Sequence, residues 1–238
     1  MQVAIDRWSV WPSGLGDPAS RLAWLQGASL PESALATDLS FIDALSRRRL
    51  GRLPKIALHV ARQASADCTT VPIVFSSQHG DLGRSLSILD DLARDEMPSP
   101  ASFSLSVHNT TAGIFSIARD DRAPATAIAA GEETFLWALC EACLRTQAGS
   151  SVLFVYVDEP LPDCYRRYAD YDPPAHAIAL LLKPGNALEL SWRERPAEAT
   201  TSRPLSLAFL ELLFDSGSHM QWFGQRLAVD GTWHGSAH

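Results

Sequence analysis

Four short runs almost free of polar residues punctuate this chain: Val71–Ser76, Ala125–Ala130, Val152–Val157 and Ala175–Leu182. A strand with one wet face alternates polar and apolar residues; runs without that alternation belong to a sheet covered on both faces. The stretches between them repeat apolar residues every three or four positions. Leu53–Arg62, Leu82–Arg94 through Leu86, Leu89 and Leu92, and Glu133–Gln147 therefore read as helices. Buried strands joined by amphipathic helices predict a layered α/β architecture.

The same reading makes Phe41–Leu50 a further amphipathic helix and Phe103–Gly113 a packed helix. The latter leads on to a buried strand at Ala125–Ala130 and a sharp strand-to-helix corner at Gly131-Glu132. Met97-Pro-Ser-Pro100 closes the preceding segment, because proline lacks the N–H a helix needs and restricts the residue before it. Leu188–Trp192 alternates as an edge strand would. A Pro- and Thr-rich link near Pro196–Pro204 precedes a last helix, Leu205–Phe214, and a tail with Trp222, Phe223 and Trp233. The expected organisation is an α/β domain over 1–195, with 196–238 as linker, helix and tail packing on it.

Composition narrows the function classes. The chain has 238 residues, 46% of them hydrophobic, enough for a substantial core. Its net charge of −7 argues against nucleic acid or an anionic membrane as the main partner. One basic cluster, Arg47, Arg48, Arg49, Arg52 and Lys55, reads as a solvated helix face, with docking of an acidic partner as the functional reading. No segment reaches the roughly 18 apolar residues of a membrane span, and the N-terminus lacks the apolar run of a secretory signal. A cytoplasmic location follows, with Cys68, Cys140, Cys143 and Cys164 as thiols. Cys140 and Cys143 form a C-x-x-C, but their helical spacing turns both toward the packed side, so core packing is preferred to a metal site.

Familiar catalytic patterns are missing. Ser76, Ser77, His79 and Asp81 or Asp90 could be searched for a hydrolase, yet there is no G-x-S-x-G elbow. H-E-x-x-H, a Walker A loop and G-x-G-x-x-G are absent too, so no cofactor or metal is expected.

Five segments, in order, carry a resemblance: Trp8-Ser-Val-Trp11, Leu45–Leu50, Ile73-Val-Phe-Ser-Ser-Gln-His-Gly80, Ser99–Asn109 and Ala127-Ile-Ala-Ala-Gly-Glu132. Together they resemble the N-terminal half of thiolase-fold β-ketoacyl synthases, and more closely the chain length factors of aryl polyene and xanthomonadin clusters. The resemblance implies a thiolase-like layered fold. In an active synthase the corner carries a cysteine whose thiol pKa the helix N-terminus lowers. Here that position falls on Glu132, with Gly131 beside it as the next candidate. Glu132 and Glu133 also read simply as carboxylates favourable to a helix start.

The resemblance places two further catalytic histidines in a C-terminal half, before which this chain ends. His219, His234 and His238 lack the settings of that pair and are assigned to the surface. A non-catalytic subunit is implied, one that pairs with a full-length β-ketoacyl synthase, meets acyl carrier protein through that complex and shapes its acyl tunnel. Leu89, Phe103 and Phe115 are the expected tunnel floor, with Ser106, His108 and Asn109 at the tunnel or subunit interface. Taken singly, each apolar one is read first as ordinary core packing. A homodimer in isolation is compatible with this reading. The competing classes are a stand-alone acyl- or carrier-protein-binding module and, less favoured, a hydrolase.

Overall fold

The computed structural model describes residues 1–169, 172–200, 203–215 and 217–235. The chain opens with β1 (Gln2–Trp11), α1 (Pro18–Leu25), α2 (Glu32–Leu35), α3 (Ala44–Arg49) and α4 (Arg52–Ala64). Next come β2 (Ile73–Ser76), α5 (Leu82–Ala93), α6 (Pro100–Leu105), α7 (Thr110–Ala118), β3 (Ala125–Ile128) and α8 (Thr134–Thr146). The last part holds β4 (Val152–Asp158), α9 (Asp163–Arg166), β5 (His176–Glu194), α10 (Leu205–Phe214), β6 (His219–Phe223) and β7 (Leu227–Trp233).

One mixed sheet runs in the order β3-β2-β4-β5-β7-β6, with β1 also paired to β5. β3, β2 and β4 are mutually parallel neighbours; β5 is antiparallel to β4, β1 and β7. Because side chains alternate along a strand, consecutive residues enter two different cores. Val74, Phe154, Tyr156, Ile178 and Leu180 pack on one face with residues of α8 and α10. Ile73, Phe75, Leu153, Val155 and Ala179 pack on the other with residues of α4 and α7. The expected sheet buried on both faces is therefore present. At its centre Phe135 of α8 meets the rings of Phe154, Tyr156 and Phe209 at centroid distances of 5.3, 5.2 and 5.0 Å. Burying one such side chain contributes about 1.5–3 kcal/mol.

Several expectations are corrected. The helix expected over Phe41–Leu50 is confined to α3, because the Asp43 carboxylate accepts the N–H groups of Leu45 and Ser46 and starts the helix there. The helix expected over Phe103–Gly113 is two helices, α6 and α7, with 106–109 between them. Near the end of α6 the hydroxyls of Ser104 and Ser106 donate to the carbonyls of Ala101 and Phe103, an alternative to continuing the helix ladder.

The expected buried strand at Ala125–Ala130 ends at Ile128 and lies at the margin of the sheet, with Ala125 exposed and the rest half-buried. Leu188–Trp192, expected at an edge, is instead the second half of β5, where Leu188 and Glu189 pair with both β1 and β7. β5 steps out of register with β1 over 184–187. Glycine is required within that step: a Cβ on Gly185 would stand 2.5 Å from Ala4 Cβ. The tail forms a hairpin, β6–β7, that extends the sheet and buries Trp222 and Trp233. His219 and His234 are exposed; His238, and Thr201 and Ser202 of the expected link, lie outside the described residues.

Candidate functional site

The parallel strands β2, β3 and β4 direct their carboxyl ends to one side of the sheet, the side on which open α/β sheets place ligands. Beyond β3 the chain turns sharply into α8. Gly131 is the apex, with φ of +60°, a conformation that a Cβ disfavours. Nothing lies within 4 Å of where its Cβ would be. Thr134 staples the turn: its hydroxyl accepts the N–H of Ala130 at 2.8 Å and donates to the carbonyl of Gly131 at 2.6 Å. Sequence reasoning passed over Thr134, although a threonine three residues after a glycine at a strand-to-helix turn is a readable signal.

Glu132 and Glu133 stand before the helix rather than in its first turn, since α8 starts at Thr134 and the Glu133 side chain makes no capping bond. Their carboxylates turn instead toward the loop between β6 and β7. Glu132 Oε1 accepts from Gln225 Nε2 at 2.9 Å, and Glu133 Oε2 accepts from Arg226 at 3.0 Å and from the Trp137 indole at 3.2 Å.

Next to the corner is a cleft of about 390 Å³ whose lining includes His79, Glu132, Asp158, Glu159, Tyr168 and Trp222. Burial raises the Glu159 carboxyl above its usual range, with Arg52 at 3.5 Å opposing the shift. Asp158 of this lining also belongs to a buried polar network. Asp158 accepts from the Ser77 hydroxyl at 2.9 Å, the Gln78 N–H at 3.0 Å and the Tyr156 phenol. The His176 imidazole bonds the Pro174 carbonyl and the Ser206 hydroxyl, both at 2.8 Å. Burial drives the Tyr156 phenol well above its ordinary pKa, with the Asp158 charge adding to it, and burial pushes the His176 imidazole down.

The residues proposed for a hydrolase do not assemble into one. Ser76 and Ser77 are fully buried and donate to the Val155 carbonyl and to Asp158. Asp81 caps α5 by accepting from the Arg84 N–H, and it pairs with the Arg84 guanidinium. Cys140 and Cys143 sit in the core, where burial pushes their thiols up to about 11 and about 12.

The expected interface residues separate. Leu89 on α5 is 51% exposed and Phe103 on α6 is 63% exposed. Neither α5 nor α6 contains a buried residue. Ser106 and His108 are half-buried and Asn109 is exposed. His108, in the break between α6 and α7, bonds the Ile128 carbonyl at 3.1 Å and packs on Phe75, so it ties this region to β3. Phe115 is 2% exposed and belongs to the core, edge-on to Phe41.

A family profile described as the β-ketoacyl synthase N-terminal domain matches residues 21–233. Among solved structures, one chain of the complex of the ketosynthase ApeO with its chain length factor ApeC from Xenorhabdus doucetiae superposes with a TM-score of 0.81 at 26% identity. The match covers 98% of this chain and 99% of that one. A β-ketoacyl synthase from Burkholderia phymatum STM815 gives 0.61 at 14% identity, over 84% of this chain and 66% of that one. The ishigamide ketosynthase/chain length factor gives 0.56 at 14%, over 84% and 65%. The last two bear on the fold alone, which is the thiolase-like layered α/β fold of a ketosynthase N-terminal half. No protein of curated function matches.

Proposed function

Because this chain belongs to the β-ketoacyl synthase family through its N-terminal domain, we propose that it is a non-catalytic, chain-length-factor-like subunit that pairs with an active β-ketoacyl synthase. The observation that carries this reading is the surface of α5 and α6. Leu89 and Leu92 of α5, Phe103 of α6 and Val107 in the 106–109 break that follows all lie about half exposed or more, and Ile117 of the adjoining α7 is 82% exposed. Scattered apolar residues on a surface are ordinary, but a concentration on two helices without a buried residue suits a partner. β3 lies next to this region at the end of the sheet order, and an uncovered strand edge favours pairing with another chain.

The corner supports the same reading. With glycine at its apex and carboxylates on the two residues that follow, it holds no thiol to accept an acyl group. The partner would supply the nucleophile and the histidine pair, and this subunit would help set product length in an aryl polyene or similar elongation. Of the expected tunnel residues, Leu89 and Phe103 would be the ones to reach a partner, since both side chains are exposed. Phe115 would act only by supporting them from the core.

The basic cluster fits acyl carrier protein as a second, acidic contact of the complex. Arg48 and Arg49 are exposed, and Arg52 beside them is exposed too although it pairs with Glu159 at 3.5 Å. The cleft beside the corner keeps a stand-alone acyl-binding module as the alternative.

Co-expression with a ketosynthase encoded beside this chain, size-exclusion chromatography and a carrier-bound malonyl elongation assay test the proposal. A one-to-one complex whose product length changes in a Phe103 variant is expected. Separate elution with unaffected elongation would overturn it, and thioester binding by the lone chain would then favour the module.

A further inference from the structure

The loop between β6 and β7 reaches back 93 residues in sequence to the corner before α8. Its base is held by Trp222, whose indole donates to the Arg203 carbonyl at 2.6 Å, and its turn is closed by the Gly224 N–H on the Leu227 carbonyl at 2.8 Å. The turn folds tightly onto Trp222, since a Cβ on Gly224 would lie 2.1 Å from that ring.

The contact at its tip is asymmetric. The Arg226 side chain is 77% exposed, whereas that of Glu133 is 4% exposed. Among the described residues Arg226 is the one cation paired with this carboxylate, whose other oxygen, Oε1, has no hydrogen-bond partner. A charge sealed from water and stripped of its counter-ion is strongly unfavourable. Departure of the loop would take that cation away and leave the Trp137 indole on Oε2, too little to hold the charge in place, so corner and loop are coupled and open together. Gln225 adds a second hold on Glu132, and Gln225, Trp222, Gly131 and Glu132 all line the same cleft.

We propose that the β6–β7 loop is a strap: it shuts the strand-to-helix corner, walls one side of the cleft, and releases only as a unit with the corner. The inference stands whichever partner the chain has.

Hydrogen–deuterium exchange on the intact protein tests it, read in peptides covering 131–140 and 219–233. R226A is expected to raise exchange at least tenfold in both regions. Adding E133Q, which removes the buried charge, should bring the double variant back toward wild type. If R226A fails to accumulate, R226K keeps the charge but loses the guanidinium geometry, and both regions should rise by a smaller factor. Faster exchange in 219–233 alone, no change in either region, or no recovery in the double variant would overturn the strap.

Discussion

Tyr156 and Asp158 stand two positions apart on one face of β4, and the phenol donates its hydrogen to the carboxylate at the strand's end. Both are buried, and the Ser77 hydroxyl and Gln78 N–H complete the donors to Asp158. Y156F removes one donor from a buried carboxylate and is expected to cost about 1–3 kcal/mol, read by urea denaturation. D158A strands three donors at once and should cost more. Equal losses for the two variants would contradict the network.

Phe103 and Phe115 test interface against core. F103D places a charge on an exposed site, so the stability of the lone chain should change by no more than about 0.5 kcal/mol. Its complex with the ketosynthase should weaken by at least about tenfold, since a charge would be buried there unpaired. F115A should instead lose about 3–5 kcal/mol of stability through the cavity it leaves. Melting curves and a titration of the two subunits read both outcomes.

The corner depends on backbone conformation. G131A forces a Cβ onto a positive φ, costing about 1–2 kcal/mol. T134V leaves the Ala130 N–H without its acceptor and should cost about 1–3 kcal/mol. Thermal unfolding of the two single variants checks both values.

Acid should destabilise the fold partly through histidine. His59 accepts the Asp38 N–H at 2.9 Å, and burial depresses its pKa. The unfolded chain therefore binds this proton more readily. The contribution is fully present above the unfolded value near 6.5 and is lost as pH falls through and below it. His176, fully buried, acts with the same sign. H59Q is expected to flatten the slope of stability between about pH 7 and pH 5. An unchanged slope in equilibrium unfolding at several pH values would remove His59 from the account.

The four cysteines should separate by reactivity, because the thiolate is the reacting form. Cys164 is exposed, whereas Cys140 and Cys143 are buried with thiols raised to about 11 and about 12. Mass spectrometry after iodoacetamide treatment of the native protein should find Cys164 modified first and the C-x-x-C pair only on unfolding. Early modification of Cys140 or Cys143 would show that the α8 core opens.

Much of the fold was legible because its causes are local. The apolar runs at Val71–Ser76 and Val152–Val157 read as two-sided buried strands and contain β2 and most of β4, and the spacing in Leu53–Arg62 and Glu133–Gln147 read as helices and matches α4 and α8 to within two residues at each end. These patterns record which faces meet apolar neighbours, whatever those neighbours are. The corner at Gly131-Glu132 was legible through the family resemblance of Ala127–Glu132, and the positive φ of Gly131 is its apex.

Position in the whole was not legible. Ala125–Ile128 has the composition of an inner strand yet lies at the sheet's margin, and Leu188–Trp192 alternates like an edge strand yet its first two residues, Leu188 and Glu189, pair on both sides. Leu89, Phe103 and Phe115 are alike as apolar helix residues; packing put two outside and one in the core. The bonds of Gln225 and Arg226 to Glu132 and Glu133 join groups 93 residues apart. Local sequence determined the strands, helices and turn, because backbone conformation and side-chain periodicity depend on near neighbours. Tertiary structure alone decided edge against centre, core against surface, and the closure of the corner, because each depends on which distant segment arrives to cover the residue.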